Sequence, residues 1–457
     1  MASDRPAARP RVVVIGASLA GLLAAAAVSR AGHTVTILER DRLEDTPGPR
    51  TGVPQGQQPH VFLLRGLLAA EQLLPGLRSD LEAHGAVPFD TGTLGWLAEQ
   101  GWAPVRPSGF EIVSLTRPLF EQVVRHRVLD LPGVQLRDTR RVNALRRDGS
   151  RGTHWQIETD SDETVVADLV IDASGRGSRL PAWLVDNGIT APRMSEVDAR
   201  MGYATRMYSG APDMPGLSGI VVQTTPGSPA GGMALPVENG RWLVLALGAG
   251  EFRPPRNVEG FEAHIDGLRD PAVSDFVRRC TPCGDVVVYR QTGNRRWHYE
   301  RLRDWPDGQL AVGDAFVSFN PVFGQGITVP ACEALVLRDA LAAGLRSADA
   351  RRLMLSLAAT AALPWSIAIG QDLRLPSTNG RQTRSQLLTN AWARELSRLG
   401  IHGNARAVQV LNRIYHLMGS PRILLHPALV GAAIRARVVG YGPATPRPPA
   451  LDALARG

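Results

Sequence analysis

The sequence predicts an α/β fold in which a Rossmann-like dinucleotide domain carries an inserted β-sheet domain and a helical C-terminal region. Three observations lead there. A Val/Ile-rich run from Arg11 to Ile15 enters Gly16-Ala17-Ser18-Leu19-Ala20-Gly21, a strand buried on both faces that turns straight into a helix. Between about Met201 and Tyr289 the pattern changes to short strands joined by turns. From Pro330 onward the chain is mostly helical in pattern.

The first element is a dinucleotide cradle. Gly16 permits the tight turn, and Gly21 lets the helix Leu19 to Arg30 pack closely on the strand while its first amides face a pyrophosphate. His33 to Leu38 is the second strand, and Glu39, with Arg40 beside it, stands where a carboxylate accepts hydrogen bonds from an adenosine ribose. The usual middle glycine is Ser18, which narrows the backbone approach. An acid here disfavours a 2′-phosphate, so the cradle is expected to hold NAD or FAD and not NADP.

The second element comes some three hundred residues later. A short strand, Leu310 to Val312, runs into Gly313-Asp314, and Phe319-Asn320-Pro321-Val322-Phe323-Gly324-Gln325-Gly326-Ile327 opens a long helical stretch from about Thr328. A second anion site is conceivable there, but the cradle already supplies one for the pyrophosphate. The far end of a dinucleotide remains to be bound: Asp314 can hydrogen-bond the ribityl chain of a flavin, and the helix N-terminus can stabilise negative charge on its pyrimidine ring.

With these residues the chain resembles the flavoprotein monooxygenases of the para-hydroxybenzoate hydroxylase type, whose GD motif and downstream proline and glycines match Gly313, Asp314, Pro321, Gly324 and Gly326. Their middle motif is similar to Asp172-Ala173-Ser174-Gly175-Arg176-Gly177-Ser178-Arg179, after the strand Ala167 to Ile171, except that the aspartate usual before its second glycine is replaced by Ser174 or Arg176. Closer still is the actinobacterial polyketide branch, with its olefin epoxidases and redox-neutral cyclases. Arg50-Thr51-Gly52-Val53-Pro54-Gln55 with His60, Tyr203-Ala204-Thr205-Arg206 and Asn294-Arg295-Arg296-Trp297-His298-Tyr299 resemble its segments, over roughly residues 10 to 345. The resemblance implies a glutathione-reductase-type FAD-binding domain, FAD as cofactor and NAD(P)H as transient reductant. It also implies FAD contacts from Arg50, from Arg117 at the head of a helix running to Val128, and from backbone at Val142, before the Asp148-Gly149 turn.

The expected organisation is a discontinuous FAD-binding domain of residues 10–85, 107–180 and 290–345, a substrate domain of residues 86–106 and 181–289, and a helical region of residues 346–457. Within the first, Phe62 to Leu74 reads as helix and Phe110 to Ser114 as strand. Gly202 to Tyr208, Gly219 to Gln223, Gly232 to Pro236 and Arg241 to Leu247 read as a sheet, with Glu238-Asn239-Gly240 as a hairpin turn. Such a sheet can roof the flavin, so Met201, Tyr203, Met207 and Met233 are candidates for the pocket, with His60 as a possible acid. Helices are read over Ala331 to Ala343, Ala348 to Ile369 with a kink at Pro364, Arg384 to Leu399 and Ala405 to Met418. A terminal amphipathic segment after Met418-Gly419-Ser420-Pro421 is expected to pack over the active site.

Composition narrows the chemistry. All 51 basic residues among 457 are arginine, which excludes Schiff-base, pyridoxal and phosphate-loop lysine chemistry, and with it the lysine a flavin-dependent halogenase needs. The net charge of +8 is spread without a basic run, and aromatics are 5%, so no nucleic-acid partner is expected. Three cysteines make no disulfide framework, and Cys280 and Cys283 form one CxxC without the second pair a zinc site would need. A reducing, cytoplasmic setting follows. Met1 to Pro10 lacks the apolar core of a secretory signal, and no run is read as approaching eighteen apolar residues, so no stable membrane insertion is expected.

The function expected is an FAD-dependent monooxygenase, an epoxidase or hydroxylase, acting on an apolar polyketide-type intermediate. Hydride would come from NAD(P)H and oxygen would pass to an alkene or electron-rich ring. The alternative is a redox-neutral FAD-dependent cyclase of the [4+2] type, which shares the same motifs. No catalytic side chain is assigned and no metal is expected. The oligomeric state is left open.

Overall fold

The computed structural model describes residues 10–147, 154–161 and 163–456. The tail before Pro10 and the Asp148-Gly149 turn lie outside the described residues. A five-stranded parallel sheet carries the first domain, in the order Gln309–Ala311, Leu169–Asp172, Val12–Ile15, Val35–Leu38, Val134–Arg137. Val12–Ile15 and Leu169–Asp172 are buried along their whole length: the helix Leu19–Arg30 lies on the sheet, and Leu145, Trp155 and Ile157 of a three-stranded antiparallel sheet join the same core. The helix Leu19–Arg30 is buried almost all round, since it lies between that sheet and the helix Gln325–Ala342. Its run Ala24-Ala25-Ala26-Ala27 keeps the contact close.

The second sheet has eight strands. Leu94–Ala98 and Gly101–Trp102 extend the antiparallel array of Met201–Ser209, Gly219–Val222, Ala230–Val237 and Arg241–Ala249, so the two segments assigned to the substrate domain share one sheet. Asn239 and Gly240 both take left-handed φ, +63° and +65°, as a tight hairpin turn demands. The boundary read at residue 107 cuts a ladder, because Val87–Asp90 pairs antiparallel with Glu111–Ser114.

Three helical readings need correction. The helix expected from Thr328 begins at Gln325 and runs unbroken through Pro330 to Ala342. Proline in the second turn removes only one amide, and its ring fills space beside Gly313. The helix read over Ala348 to Ile369 spans Ala350–Asp372, with Pro364 inside it. It is also long and apolar enough, by length and composition, to cross a membrane, contrary to the reading that no such run exists. In the fold one face of it, including Leu353, Met354, Leu357 and Ala361, lies in the main core, while Leu355 is exposed.

The terminal segment does not cover the cleft described below. Pro427–Val439 packs on Arg384–Ile401, and Pro449–Arg456 returns to the helix Ala272–Val277, where Leu451 and Leu454 join the core of the second sheet. It is His416, capping Ala405–Tyr415, that reaches inward. Its Nδ1 accepts the Leu64 amide at 3.3 Å, its Nε2 lies 3.0 Å from Thr91 Oγ1, and its ring stacks on Phe110.

Candidate active site

A cleft of about 500 Å³ opens beyond the C-terminal ends of the parallel strands, where open α/β sheets bind their ligands. Gly16, Ser18, Ala20, Glu39, Arg40, Arg50, His60, Arg117, Val142, Asp314, Pro321, Gly324, Gly326 and Ile327 all line it. Seven other predicted residues do not, among them Met207, which pairs with Leu243 within the eight-stranded sheet. Leu19 and Gly21 lie buried behind the turn and Gly313 beneath Asp314. Met201 and Tyr203 belong to a separate core cluster with Leu245 and Leu247, and Met233 packs against it.

The cradle is tight by construction. Gly16 sits at φ +102°, and a β-carbon there would lie 2.6 Å from the Ala173 carbonyl oxygen. A β-carbon on Gly21 would lie 1.9 Å from the Gly16 carbonyl oxygen, so only glycine lets the helix meet the strand. Glu39 anchors the far side, accepting the Ala17 amide at 2.7 Å, the Asp41 amide at 2.9 Å and Arg50 Nη2 at 3.0 Å.

Beside the cradle is a charged group that sequence reading missed. Glu121, four residues into the helix opened by Arg117, accepts Arg117 Nε at 2.8 Å, Arg50 Nη1 at 2.9 Å and Ser18 Oγ at 2.5 Å. Burial opposes its charge, but Arg117, Arg50 and Ser18 together hold the carboxyl below its usual range. The Arg117-to-Glu121 spacing of four was the available signal. Ser18 thus presents its hydroxyl to this cluster and also receives Arg117 Nη2 at 2.9 Å.

The middle motif turns on Asp172, whose buried carboxylate accepts the Ser174 amide at 2.9 Å and the Ser174 and Ser178 hydroxyls at 2.5 Å. Arg176 projects from that turn and ties down Gly293 O at 2.7 Å and Phe319 O at 3.1 Å. At the opposite end Asp314 hydrogen-bonds no other side chain or backbone among the described residues, and it lines the cleft. Burial pushes it up, and Arg176, Arg117 and Arg295 pull it back towards the charged form. Gly324, left-handed at φ +66°, starts the helix Gln325–Ala342, and its open first turn borders the same space.

His60 cannot serve as an acid near neutrality. Its Nδ1 lies 2.7 Å from Gln58 O, and burial, with Arg117 nearby, pushes the ring down to about 3. The carbonyl fixes the proton on Nδ1, leaving Nε2 as an acceptor. All three cysteines are free, and burial pushes the Cys280 thiol up to about 11. Cys332 packs on the main core from the helix Gln325–Ala342. Among the described residues no group of three or more His, Cys, Asp or Glu could hold a metal ion.

These residues fit a flavin dinucleotide. Backbone amides and arginines would meet the pyrophosphate, Glu39 the adenosine ribose, Asp314 a polyol, and an open helix turn an electron-rich ring.

Comparison with known proteins agrees. A family model described as an FAD binding domain matches residues 9–366. Protein Rv3254 of Mycobacterium tuberculosis (strain ATCC 25618 / H37Rv) is 32% identical over 355 residues, 73% of each chain. Kynurenine 3-monooxygenase of Salinispora arenicola (strain CNS-205) is 27% identical over 358 residues, again 73% of each chain. Among solved structures, the Diels-Alderase PyrE3 of the pyrroindomycin pathway shares the fold at 16% identity with a TM-score of 0.60, covering 90% of this chain and 81% of that one. Cradle, GD turn and family match all span the same residues, and the chain belongs to the FAD binding domain family, that of the FAD-dependent monooxygenases.

Proposed function

We propose that this chain is an FAD-dependent monooxygenase that oxygenates an apolar, polyketide-type intermediate of natural-product biosynthesis. The observation that carries the reading is the pairing of two ends of one cleft: Glu39 and the Gly16 turn at one, the unpartnered Asp314 and the open turn at Gly324 to Ile327 at the other. Bound FAD supplies hydride acceptance from NAD(P)H and activation of oxygen.

The chain's own residues do the rest. Arg50 and Arg117, held by Glu121, set positive charge beside the cradle, and Ser18 and Val142 border the adenosine side. Asp314, Pro321, Gly326 and Ile327 orient the reactive end, and His60 offers an unprotonated Nε2 to it. Val61, adjoining Gly324, belongs to an apolar cluster with Phe89, Leu94, Ile112, Val221, Leu235, Trp96 and Met233. An apolar, water-poor approach to the reactive end supports a hydrocarbon-rich substrate. The likeness to PyrE3 supports a place in natural-product chemistry, as does the polyketide-branch resemblance of the Arg50 to Gln55 loop. The three free cysteines support a reducing, cytoplasmic setting. We also assign the five-stranded sheet with its helices to cofactor binding and the eight-stranded sheet to the substrate.

The deciding experiment is anaerobic bleaching of the yellow enzyme by NADH or NADPH, followed by turnover under labelled oxygen gas. Label in the product supports oxygen transfer. Conversion to an isomer of identical mass, at full rate without oxygen or nicotinamide, replaces this reading with the redox-neutral cyclase.

A further inference from the structure

The turn that carries Pro321 and Gly324 is held from behind by a residue outside the cofactor fold. Asp372 ends the helix Ala350–Asp372 and is 2% exposed. Its Oδ2 accepts Asn294 Nδ2 at 2.6 Å, and its two oxygens accept Asn320 Nδ2 at 3.1 and 3.2 Å. Asn320 Oδ1 in turn accepts the Tyr203 hydroxyl, and that hydroxyl oxygen accepts the Val322 amide at 3.2 Å. Asn294 Oδ1 accepts the Asn320 amide at 2.8 Å. Tyr203, Asn294 and Asn320 are all essentially inaccessible to solvent.

The network is closed and specific. Both ends of each asparagine amide are engaged, so neither can flip without orphaning a buried donor or acceptor, at a cost of roughly 1–3 kcal/mol each. On the cleft side Arg176 grips Gly293 O and Phe319 O, the carbonyls immediately before these two asparagines. The turn is therefore clamped from both sides, by a guanidinium in front and a carboxyl behind.

Holding a helix end does not require such an arrangement. None of the donors on the Asp372 carboxyl is charged, and the nearest charge acting on it, Asp198, is of like sign. An uncompensated buried carboxyl is expensive, and an apolar contact would anchor the helix more cheaply. What the network specifies is the pose of residues 320–324, from which the cleft-facing first turn of Gln325–Ala342 departs.

We propose that Asp372 is a positioning residue for the flavin end of the cleft, fixing through Asn320 and Asn294 the turn whose backbone faces the reactive ring. Donors preorganised towards developing charge lose their effect when displaced by a fraction of an ångström. The groups facing Asp372 are Asn294, Asn320 and, through Asn320, Tyr203, with the hydroxyl of Thr378 on its carbonyl oxygen and Asp198 as the charged neighbour. Burial, against the two asparagine donors, pushes the carboxyl up to about 7.

The test is Asp372→Asn in the full-length holoenzyme, reading the visible spectrum and reduction potential of bound FAD from about pH 6 to pH 9, the FAD dissociation constant and the rate of flavin reduction. The expected result is near-normal FAD binding, a shifted spectrum and potential, loss of the wild type's inflection near neutrality, and reduction slowed about tenfold, the consequence of one mispositioned charge-stabilising contact. A variant with wild-type spectrum, potential and reduction rate at every pH overturns the proposal. So does one that only loses thermal stability and FAD content while the flavin it retains behaves as wild type, because that is a helix anchor. If Asp372→Asn does not fold, Tyr203→Phe opens the same network at its other end. It should shift the potential in the same way, and an unchanged potential there counts equally against the proposal.

Discussion

Glu333 Oε2 accepts the Gly313 amide at 2.8 Å, so a fully buried carboxyl from the helix behind the cleft holds the glycine that precedes Asp314. Its Oε1 has no partner. Burial, with the Asp314 charge adding to it, pushes Glu333 up to about 8. The group is therefore neutral at physiological pH and supports its neighbour without a second negative charge.

A pH dependence follows. The folded value lies above the ordinary carboxyl value of 4.5, so stability from the neutral form is complete below that value and is lost as pH rises through about 8. Denaturant midpoints should fall from about pH 4.5 to about pH 8 and level off above it, and Glu333→Gln should flatten that fall by an amount on the order of a few kcal/mol. Parallel curves for the two proteins would assign the loss to other groups.

Asp314→Ala should purify with far less flavin than Cys280→Ala. Losing a charge-assisted hydrogen bond to a polyol costs roughly 1.5–3 kcal/mol, or about ten- to a hundredfold in affinity. The wild type should be yellow and release all its FAD on denaturation, since neither the Gly16 cradle, the Asp172 to Arg179 motif nor the Gly313 to Ile327 turn contains a cysteine or histidine. Equal flavin content in the two variants would show that Asp314 does not contact the cofactor.

Glu121→Ala should be severe, because it removes the carboxylate acceptor of Arg117, of the Ser18 hydroxyl and of Arg50 Nη1 from one buried cluster, leaving Arg50 only its pairing with Glu39 and Asp41. Breaking a buried ion cluster on one side costs about 3–5 kcal/mol. Thermal melts of the apoprotein with and without added FAD would separate lost stability from lost affinity. A change within about 0.5 kcal/mol would mean that solvent reaches the cluster.

His60→Gln should slow turnover without abolishing it, and the acidic limb of the kcat/KM profile should be the same in both proteins between about pH 5 and pH 8. His60 is pushed down to about 3, so the ring stays neutral across that window. A limb near neutrality that vanishes in the variant would restore it as an acid.

The parts of this site that were legible in the sequence are those whose geometry is local. Gly16, Gly21 and Glu39 occupy a strand–turn–helix–strand unit in which spacing alone sets position, and the helix was read at its observed ends, Leu19 and Arg30. Glu333 and Asp372 were overlooked because they act on residues 20 and 52 positions away, which no periodicity encodes; Glu121 carried a local signal in its spacing to Arg117, but its partner Ser18 lies 103 positions away. Pro330 was read as a helix start although it is interior, since a missing amide is tolerated in the second turn. Tyr203 was placed against substrate because alternation reveals a face and not its partner, and its hydroxyl bonds to Asn320 beneath the flavin-side turn.

The strand order of the first sheet constrains how the protein is made. Gln309–Ala311 pairs with Leu169–Asp172, which already lies beside Val12–Ile15, so the strand delivering Asp314 is the last of the five to be synthesised and occupies the sheet's outer position. Until some three hundred residues have left the ribosome, Leu169–Asp172 presents an open edge rich in Val and Ile, a template for wrong pairing. Closing that edge brings Asp314 to the cradle in the same step. Flavin capture is thereby a late event in biogenesis, and riboflavin supply during expression should govern soluble yield more than the activity of protein already folded.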